Sequence, residues 1–267
     1  IAAVSCSCAA PDYSITRPMN VLCVVAHPDD ETILCGGTLA LLASRSAAVH
    51  VAGLTRGEGG ELGEPPLADR EHLGDVREQE VVCAVGKLGG KSLTFLGYVD
   101  PAIGPDDKLF APEHDPTMLA GQIVNAIKQF EIDAVVTHGS NGEYGHPAHV
   151  LVHQMTLAAV AALRTEQGDR KGSPLLYTFC ANFPDHPYPR LANKDDAADI
   201  VLDVSSMLDR KEAAALCHKT QNPLFIRRRS QAMGRTVTVR EALLTVESLH
   251  RVFGSPEDAL SRMLNAE

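Results

Sequence analysis

The sequence predicts an α/β fold, a Rossmann-like three-layer α/β/α arrangement with a mainly parallel sheet and a C-terminal helical extension. Short aliphatic runs alternate with longer amphipathic stretches, which is the pattern of βαβ units with helices on both faces of a sheet. Hydrophobic residues make up 45% of the 267 residues and aromatic residues only 4%, so a sizeable aliphatic core is expected. This length is common for one α/β domain.

The predicted elements follow one another along the chain. Five aliphatic runs have the length and composition of buried strands: 20–26, 49–55, 92–97, 133–137 and 175–181. Four amphipathic stretches between them have the length of helices: 37–46, 68–88, 116–131 and 148–165. Residues 200–252 add one strand and two helices. We therefore expect a single domain over residues 19–267, preceded by an N-terminal arm over residues 1–18.

The charge of the chain argues against nucleic acid as a partner. The formal net charge is −10 at pH 7, and no basic stripe runs along the sequence. The one dense basic run, Arg227-Arg228-Arg229, is interpreted as a solvated loop or an anion contact. No apolar run approaches the roughly 20 residues that a membrane helix needs, so no membrane partner is expected. A small-molecule partner is predicted, and a homo-oligomer stays open.

The seven cysteines are scattered, which predicts a reducing compartment and a cytoplasmic location. Cys6 and Cys8 form a C-x-C pair, but no second pair stands at the spacing of a zinc finger. The other five are predicted to be small core residues because their neighbours are apolar: Cys23, Cys35, Cys83, Cys180 and Cys217.

Three polar loops leave predicted strand ends. They are "HPDDE" after the first strand, "TRGEGGELGE" after the second and "THGSNGEYGHPAHV" after the fourth. In a parallel sheet, ligands bind beyond the carboxyl ends of the strands. We therefore expect these three loops to meet at one edge of the sheet and to form the functional site.

The first and third of these loops outline a metal site. His146 and His149 are three residues apart at a predicted helix start, so their imidazoles share one face. Together with His27, Asp29 and Asp30 they bring three histidines and two carboxylates to one edge. Catalytic zinc takes three such ligands and leaves a position open for water, whose pKa it lowers to about 7.

These residues resemble a known family. "AHPDDE" and "GHPAHV" are similar to the motifs of the LmbE/PIG-L zinc deacetylases, which include de-N-acetylases of N-acetylglucosaminyl-phosphatidylinositol and of mycothiol and bacillithiol precursors. The resemblance extends from about Met19 to at least Gln221. It implies a Rossmann-like fold and a zinc-dependent N-deacetylase.

The resemblance also implies roles for individual residues. His27, Asp30 and His149 would bind Zn²⁺, and Asp29 would be the general base that accepts a proton from the metal-activated water. Because two histidines and one carboxylate suit several divalent ions, Fe²⁺, Co²⁺ and Mn²⁺ stay open as the metal. Glu31 is predicted to support the site or to begin a helix rather than to bind metal.

His146 would be protonated, stabilise the oxyanion and help the amine to leave, and Tyr144 would assist at the oxyanion. The chain departs from the family at Ala148, where many members have an aspartate that orients the preceding histidine. Glu143, in the same loop, is the candidate replacement for that carboxylate. His138 ends a strand and is assigned to the core or to the rim of the site.

The predicted substrate contacts come from three further places. Glu58 lies in "TRGEGG", Arg77 in "DVREQE" and Asp100 in "LGYVD", and all three resemble family positions near the substrate. The alternative for Arg77 is an ordinary helix pair with Glu80. "HKTQ", which begins at His218, resembles a late family motif whose role the sequence does not explain.

The predicted function is removal of an acetyl or other acyl group from an N-acetylglucosamine-type amino sugar or conjugate by metal-activated water. Two other reactions stay open on the same metal site. One is hydrolysis of an amide in a sugar–thiol conjugate, and the other is hydration of a small dicarboxylic acid. A hydratase should carry additional Arg or Lys residues for carboxylates, and the three main loops supply chiefly Arg56.

Overall fold

The computed structural model describes residues 17–167 and 173–266. Most of the predicted N-terminal arm, with Cys6 and Cys8, lies outside the described residues.

The strands of the described residues form two sheets. In chain order they are β1 (Asn20–Val25), β2 (Ala48–Thr55), β3 (Ser92–Tyr98), β4 (Ala134–Thr137), β5 (Leu175–Phe179), β6 (Ala181–Asn182), β7 (Asn193–Ala197), β8 (Ile200–Asp203) and β9 (Val246–Phe253). Seven of these described strands form the main sheet, in the order β3-β2-β1-β4-β5-β9-β8, and β6 pairs with β7. The five strands from β3 to β5 are parallel, whereas β9 is antiparallel to both of its neighbours.

The helices cover both faces of the main sheet. In chain order they are α1 (Asp30–Ile33), α2 (Gly36–Ser44), α3 (Leu73–Leu88), α4 (Pro116–Gln129), α5 (Gly142–Gly145), α6 (Pro147–Gln167), α7 (Leu208–Ala215), α8 (Asn222–Met233), α9 (Val239–Ala242) and α10 (Ala259–Asn265). Among these described helices, none is both long and apolar enough to cross a membrane.

Alternate residues of β1 pack into two separate cores, because successive side chains of a strand point to opposite faces. Val21, Cys23 and Val25 join one core with residues of α2, α3, α7 and α10. Leu22 and Val24 join the other core, with residues of α4 and α6. This confirms the predicted three-layer fold with a mainly parallel sheet.

The sheet order also places the functional loops. β1 lies between β2 and β4. From β1 the next strands in sequence, β2 and β3, extend the sheet toward one edge, whereas β4 and β5 extend it toward the other edge. The carboxyl ends of β1 and β4 therefore flank the crevice where open α/β sheets bind ligands. "HPDDE" follows β1 and "THGSNGEYGHPAHV" follows β4, so the predicted loops meet there.

Two predicted elements differ in the structure. The helix predicted over 68–88 begins only at Leu73, because the Asp69 carboxylate accepts the backbone N–H of His72 at 2.9 Å and holds a turn there. The C-terminal segment contributes helices, as predicted, but β8 and β9 also extend the sheet. β9 reads "VESLHRVF", and its mixture of polar and apolar residues conceals a strand.

The cysteines differ from prediction at two positions. Cys23, Cys35 and Cys180 are free and buried, as expected. Cys83 and Cys217 instead form a disulfide between α3 and the segment after α7, and Cys83 is exposed. The prediction of small core residues is therefore wrong for Cys83, whereas Cys217 is buried in the core as predicted but is paired rather than free. Disulfides persist mainly in oxidising compartments, so this pair does not favour the reducing compartment predicted from the sequence. The compartment stays a prediction.

Candidate active site

The loop after β1 closes on itself and places three acidic residues. The His27 backbone N–H donates to Asp30 Oδ2 at 2.9 Å, and the Asp30 N–H donates to the His27 carbonyl at 3.3 Å. Asp29, between them, has a φ of 113°, a backbone conformation that residues other than glycine rarely adopt. Glu31 supports it, because its Oε2 accepts the Asp29 N–H at 3.0 Å.

The loop after β4 places the two histidines. Pro147 begins α6, where its missing N–H costs nothing. His146 precedes the helix, and its Nδ1 accepts the backbone N–H of Ala148 at 3.2 Å, as the side chain of an N-cap residue does. His149 lies one turn along the helix. The two imidazoles stack with ring centroids 4.6 Å apart, which confirms that they share one face.

The Asp30 carboxylate lies between two imidazoles. Oδ2 is 3.3 Å from His27 Nδ1, and Oδ1 is 3.4 Å from His149 Nε2. The other nitrogen of His149, Nδ1, donates to Glu143 Oε2 at 2.5 Å, so Nε2 carries a lone pair. This buried Nε2 has no hydrogen-bond partner among the described residues. Both atoms present a lone pair, and neither can donate a hydrogen bond to the other. A cation bound between them would satisfy both, so this pair is suited to bind a metal.

Two groups of side chains have the spacing of metal ligands among the described residues, and both contain His149. One joins it to His27 and His146, and the other to Asp30 and His138, with the ligand atoms within 4.8 Å of one another. His138 has no free nitrogen, because its Nε2 accepts the Ala26 N–H at 3.0 Å and its Nδ1 bonds to Glu143 at 2.9 Å. His138 is thus a fully buried support of the site rather than part of its rim.

A second carboxylate contacts each of His27 and His149, on the side of the ring that faces away from Asp30. His27 Nε2 lies 3.3 Å from Asp100 Oδ1 on the side of the ring away from Asp30. Glu143 holds His149 in the same way, and it accepts further hydrogen bonds from the Gly139 N–H and Asn193 Nδ2, both at 3.1 Å. Such outer carboxylates fix the tautomer and orientation of histidines that bind metals.

Asp29 is the carboxylate of this loop that is free to act on a substrate. Its side chain is 28% exposed and lies 3.6 Å from Arg77 Nη2. Burial raises the pKa of Asp29 to about 6, although the charge of Arg77 opposes the rise. A carboxylate with a pKa near neutrality is suited to accept and return a proton.

His146 differs from its predicted state. Burial and the neighbouring His27 and His149 lower its pKa to about 2, so the ring is neutral. Since Nδ1 accepts the Ala148 N–H, the proton of the neutral ring is on Nε2. Glu143 does not contact His146, so its predicted role as replacement for the family aspartate is wrong. Ala148 itself is fully buried in an apolar core.

The sequence profile described as "PIG-L: GlcNAc-PI de-N-acetylase" matches residues 22–160, more than half of the chain. The chain belongs to this family.

Two curated relatives of this PIG-L family chain carry the name 1D-myo-inositol 2-acetamido-2-deoxy-alpha-D-glucopyranoside deacetylase. The protein of Rhodococcus jostii (strain RHA1) is 35% identical over 238 residues, which cover 76% of this chain and 81% of that protein. The protein of Mycobacterium sp. (strain KMS) is 30% identical over 263 residues, with coverage of 89% and 84%.

Solved structures share the fold. The 4-carboxy-2-hydroxymuconate hydratase GalB from Pseudomonas putida aligns with a TM-score of 0.60 and 23% identity, over 90% of this chain and 98% of that one. The N,N'-diacetylchitobiose deacetylase from Pyrococcus horikoshii aligns with a TM-score of 0.60 and 17% identity, over 92% and 90%. At these identities the likeness concerns the fold alone.

The predicted substrate residues of this family member occupy different places. Asp100 lines the cavity over the site, and its Oδ2 accepts the Gly59 N–H at 3.2 Å. Arg77 also lines the cavity, although it is buried and donates to the carbonyls of Gly57 and Pro28. Glu58 does not line it, because its Oε2 accepts the Asp100 N–H at 3.0 Å. Glu58 therefore supports Asp100.

The late motif beginning at His218 braces the loop of Asp29. His218 Nε2 bonds to Glu31 Oε1 at 2.9 Å, and both side chains are buried. Two residues on, the N–H and hydroxyl of Thr220 donate to the Glu80 carboxylate at 2.8 and 2.7 Å. The alternative of an Arg77–Glu80 helix pair is therefore wrong. Only the family spacing marked this motif in the sequence.

Asn193 is a support that sequence reasoning missed. Its side chain is fully buried, and its Oδ1 accepts the Glu143 N–H at 3.0 Å while its Nδ2 donates to Glu143 Oε1. It begins β7, in a polar stretch without any recognisable pattern.

One cavity joins these groups to a second set of residues. We define its inner end by His27, Asp29, Asp30, Asp100 and His146, and its mouth by Tyr188, Arg190 and Arg228. Apolar side chains also line this cavity, among them Ile33, Leu34, Leu191, Leu224 and Phe225. Arg190 and Arg228 are exposed, and sequence reasoning flagged only the run that contains Arg228.

Proposed function

We propose that this protein is a metal-dependent hydrolase that removes the acetyl group from an N-acetylglucosamine-type amino sugar or its conjugate. The observation that carries the proposal is the pair of buried acceptors Asp30 Oδ1 and His149 Nε2, which lie 3.4 Å apart. His149 Nε2 has no hydrogen-bond partner in the part of the chain that the structure describes. The curated relatives, named as deacetylases of an acetamido-glucopyranoside, support the same reaction.

His27, Asp30 and His149 would hold the metal. His27 and His149 have carboxylates on their outer sides, whereas His138 and His146 use a ring nitrogen to accept a backbone N–H. A divalent cation held there, Zn²⁺ or alternatively Fe²⁺, Co²⁺ or Mn²⁺, supplies Lewis-acid chemistry that lowers the pKa of water and polarises an amide carbonyl.

Asp29 is the general base in this proposal. It takes a proton from the attacking water as the water oxygen bonds to the carbonyl carbon of the acetamide. When the C–N bond breaks, Asp29 returns that proton to the leaving amine, and acetate is the second product. A pKa near 6 serves both steps. The carboxylate is mostly ionised at neutral pH and can accept a proton, and the protonated acid that then forms can pass this proton on to the amine.

His146 and Tyr144 act on the oxyanion. The neutral His146 ring carries its proton on Nε2, and this N–H donates to the carbonyl oxygen as negative charge develops there. Burial raises the pKa of Tyr144 above its usual value, so its hydroxyl keeps its proton and can donate as well. Both side chains line the cavity. This assignment replaces the protonated His146 expected from the sequence.

The test is release of free amine and acetate from N-acetylglucosamine and from simple N-acetylglucosaminides by protein loaded with Zn²⁺. We expect turnover that disappears on chelation and returns with metal. No amine release from any of these compounds, at full metal occupancy, would contradict the proposal.

A second candidate is hydration of an unsaturated dicarboxylic acid. Arg190 and Arg228 at the mouth favour it, because carboxylates need such cations. Arg56 does not contribute, since it pairs with Glu58, Asp75 and Glu78. Loss of the ultraviolet absorption of a conjugated dicarboxylate, without any amine chemistry, would identify this reaction instead.

A further inference from the structure

The cavity has two ends of opposite character. The inner end holds three carboxylates, those of Asp29, Asp30 and Asp100, and the mouth holds the guanidinium groups of Arg190 and Arg228. In a chain with 34 acidic and 24 basic residues, two neighbouring cations without acidic partners are not the expected background. The mouth is therefore a local reversal of the charge of the protein.

Other arginines around the cavity are occupied. Arg227 pairs with Glu61 at 2.7 Å and with Glu64 at 2.5 Å, and Arg77 is bound to backbone carbonyls. Within residues 17–167 and 173–266, no carboxylate lies within 4.0 Å of Arg190 or Arg228. Their donors are free to bind a ligand.

The two arginines belong to a larger basic opening. Arg190 lies in the turn Pro189–Leu191 and Arg228 on α8, and both also line an adjoining hollow together with Arg229. The Arg229 guanidinium lies 4.4 Å from the centroid of the Tyr188 ring, and its buried Nε has no hydrogen-bond partner among the described residues. Arg190, Arg228 and Arg229 thus line the same opening as Tyr188.

We propose that the mouth binds an anionic group, a phosphate or a carboxylate, on the part of the substrate that remains attached to the amino sugar. This inference rests on the proposed deacetylase function and names its substrate class as an acidic amino-sugar conjugate. The planar guanidinium forms paired hydrogen bonds with both kinds of anion.

The two ends together determine how such a substrate enters. The guanidinium groups of the mouth attract the anionic group and hold it there, so the acetamide is the part that enters the inner end. The cavity is also lined by apolar side chains, including Leu191 and Phe225, which are suited to contact the carbon skeleton that joins the two parts. The charge distribution therefore selects one orientation of the substrate.

The test compares three N-acetylglucosaminides whose aglycones have the same length and end in a methyl, a carboxylate or a phosphate group. We expect kcat/KM to be roughly tenfold higher for at least one of the acids than for the methyl compound, and the ratio to fall as salt is added. The two acidic arms show which anion the mouth prefers.

Variants connect the preference to the mouth. Arg190→Gln and Arg228→Gln should each lower the ratio of acidic to neutral kcat/KM, and the double variant should bring it close to one. Arg240→Gln is the matched control, because Arg240 pairs with Asp209 and Glu212 and does not line the cavity. This control should leave the ratio unchanged.

The ratio is measured within one variant, so partial loss of active protein does not affect it. A ratio near one in the unchanged protein, or a ratio that survives in the double variant, would overturn the inference while the deacetylase function stands. Absence of amine from all three compounds is a different outcome, since it overturns the proposed function itself.

Discussion

The inner end and the mouth of the cavity differ in how completely their charged groups are paired. At the inner end, Asp30 contacts three imidazoles, and the nearby Glu143 accepts hydrogen bonds from two histidines, an amide and a backbone N–H. At the mouth, Arg190 and Arg228 have no acidic partner among the described residues. The paired groups of the inner end are held in fixed positions, as a catalytic site requires. The arginines of the mouth keep their hydrogen-bond donors available for a ligand.

This pairing at the inner end predicts large effects from small changes. Buried polar groups in a network lose several partners when one member is removed, and the remaining members then stay unsatisfied in a medium of low polarity. Exposed arginines lose only their interaction with the ligand.

Replacement of His149 should abolish both the metal and the activity. His149→Ala removes the ring nitrogen that faces Asp30 without a hydrogen-bond partner among the described residues, and it also removes one of the donors to Glu143. Elemental analysis and amine release measure the two effects. His250→Ala, on the partly exposed side of β9, is the control and should keep both. Full metal content in His149→Ala would remove it from the ligand set.

The adjacent aspartates should separate base from ligand. Asp29→Asn should retain the metal and lose turnover by about 10²–10⁴-fold, which is the usual contribution of a general base. Asp30→Asn should weaken metal binding, because Asp30 lies between His27 and His149. Metal content and kcat are measured on both variants. If the two variants exchanged these behaviours, the assignment within the pair would be wrong.

Loss of the carboxylate behind His149 should have an intermediate effect. In Glu143→Ala the imidazole loses the acceptor of its Nδ1 proton, and metal affinity should fall by roughly 10–100-fold. Glu143→Gln, which keeps an amide oxygen in place of the carboxylate, should lose less. Competition with a chelator measures the affinities. Equal affinity in Glu143→Ala and the unchanged protein would contradict a supporting role.

The smallest effect concerns pH. Asp29 acts as a base only when ionised, so kcat/KM should fall as the pH decreases through about 6. Arg77 stabilises the ionised form, and its removal makes loss of the proton harder. Arg77→Met should therefore move this acid limb to higher pH, whereas Arg77→Lys, which keeps the charge, should move it less. A limb that stays in place or moves lower would assign it to another group.

The same contrast explains how much the sequence could predict. His27, Asp30 and His149 lie in two short motifs after strand ends, and the parallel sheet brings such ends together. The support from Asn193 and His218 depends on contacts with Glu143 and Glu31 across 50 and 187 residues, for which no local pattern exists. Long-range packing decides these contacts, so only the structure reveals them.

Conformation and pairing were predicted less well than position. The neutral state of His146 depends on the backbone N–H of Ala148 and on the depth of burial, neither of which the residue types specify. The run Arg227–Arg229 is visibly basic in the sequence, but its place on α8 is not. That helix turns Arg227 toward Glu61, whereas Arg228 has no acidic partner within the described part of the chain. The fold itself followed from alternating strands and helices, apart from the mixed sequence of β9.

The disulfide joins Cys83 and Cys217 across a sequence separation of 134, and the segment between them includes the mostly exposed stretch 101–115 between β3 and α4. Exposed loops of this kind are preferred sites of proteolytic cleavage. A single cut there leaves the two pieces covalently joined, because the bond connects the segments on either side of it. A nicked molecule therefore migrates as one chain in a denaturing gel until a thiol reductant separates it into two fragments.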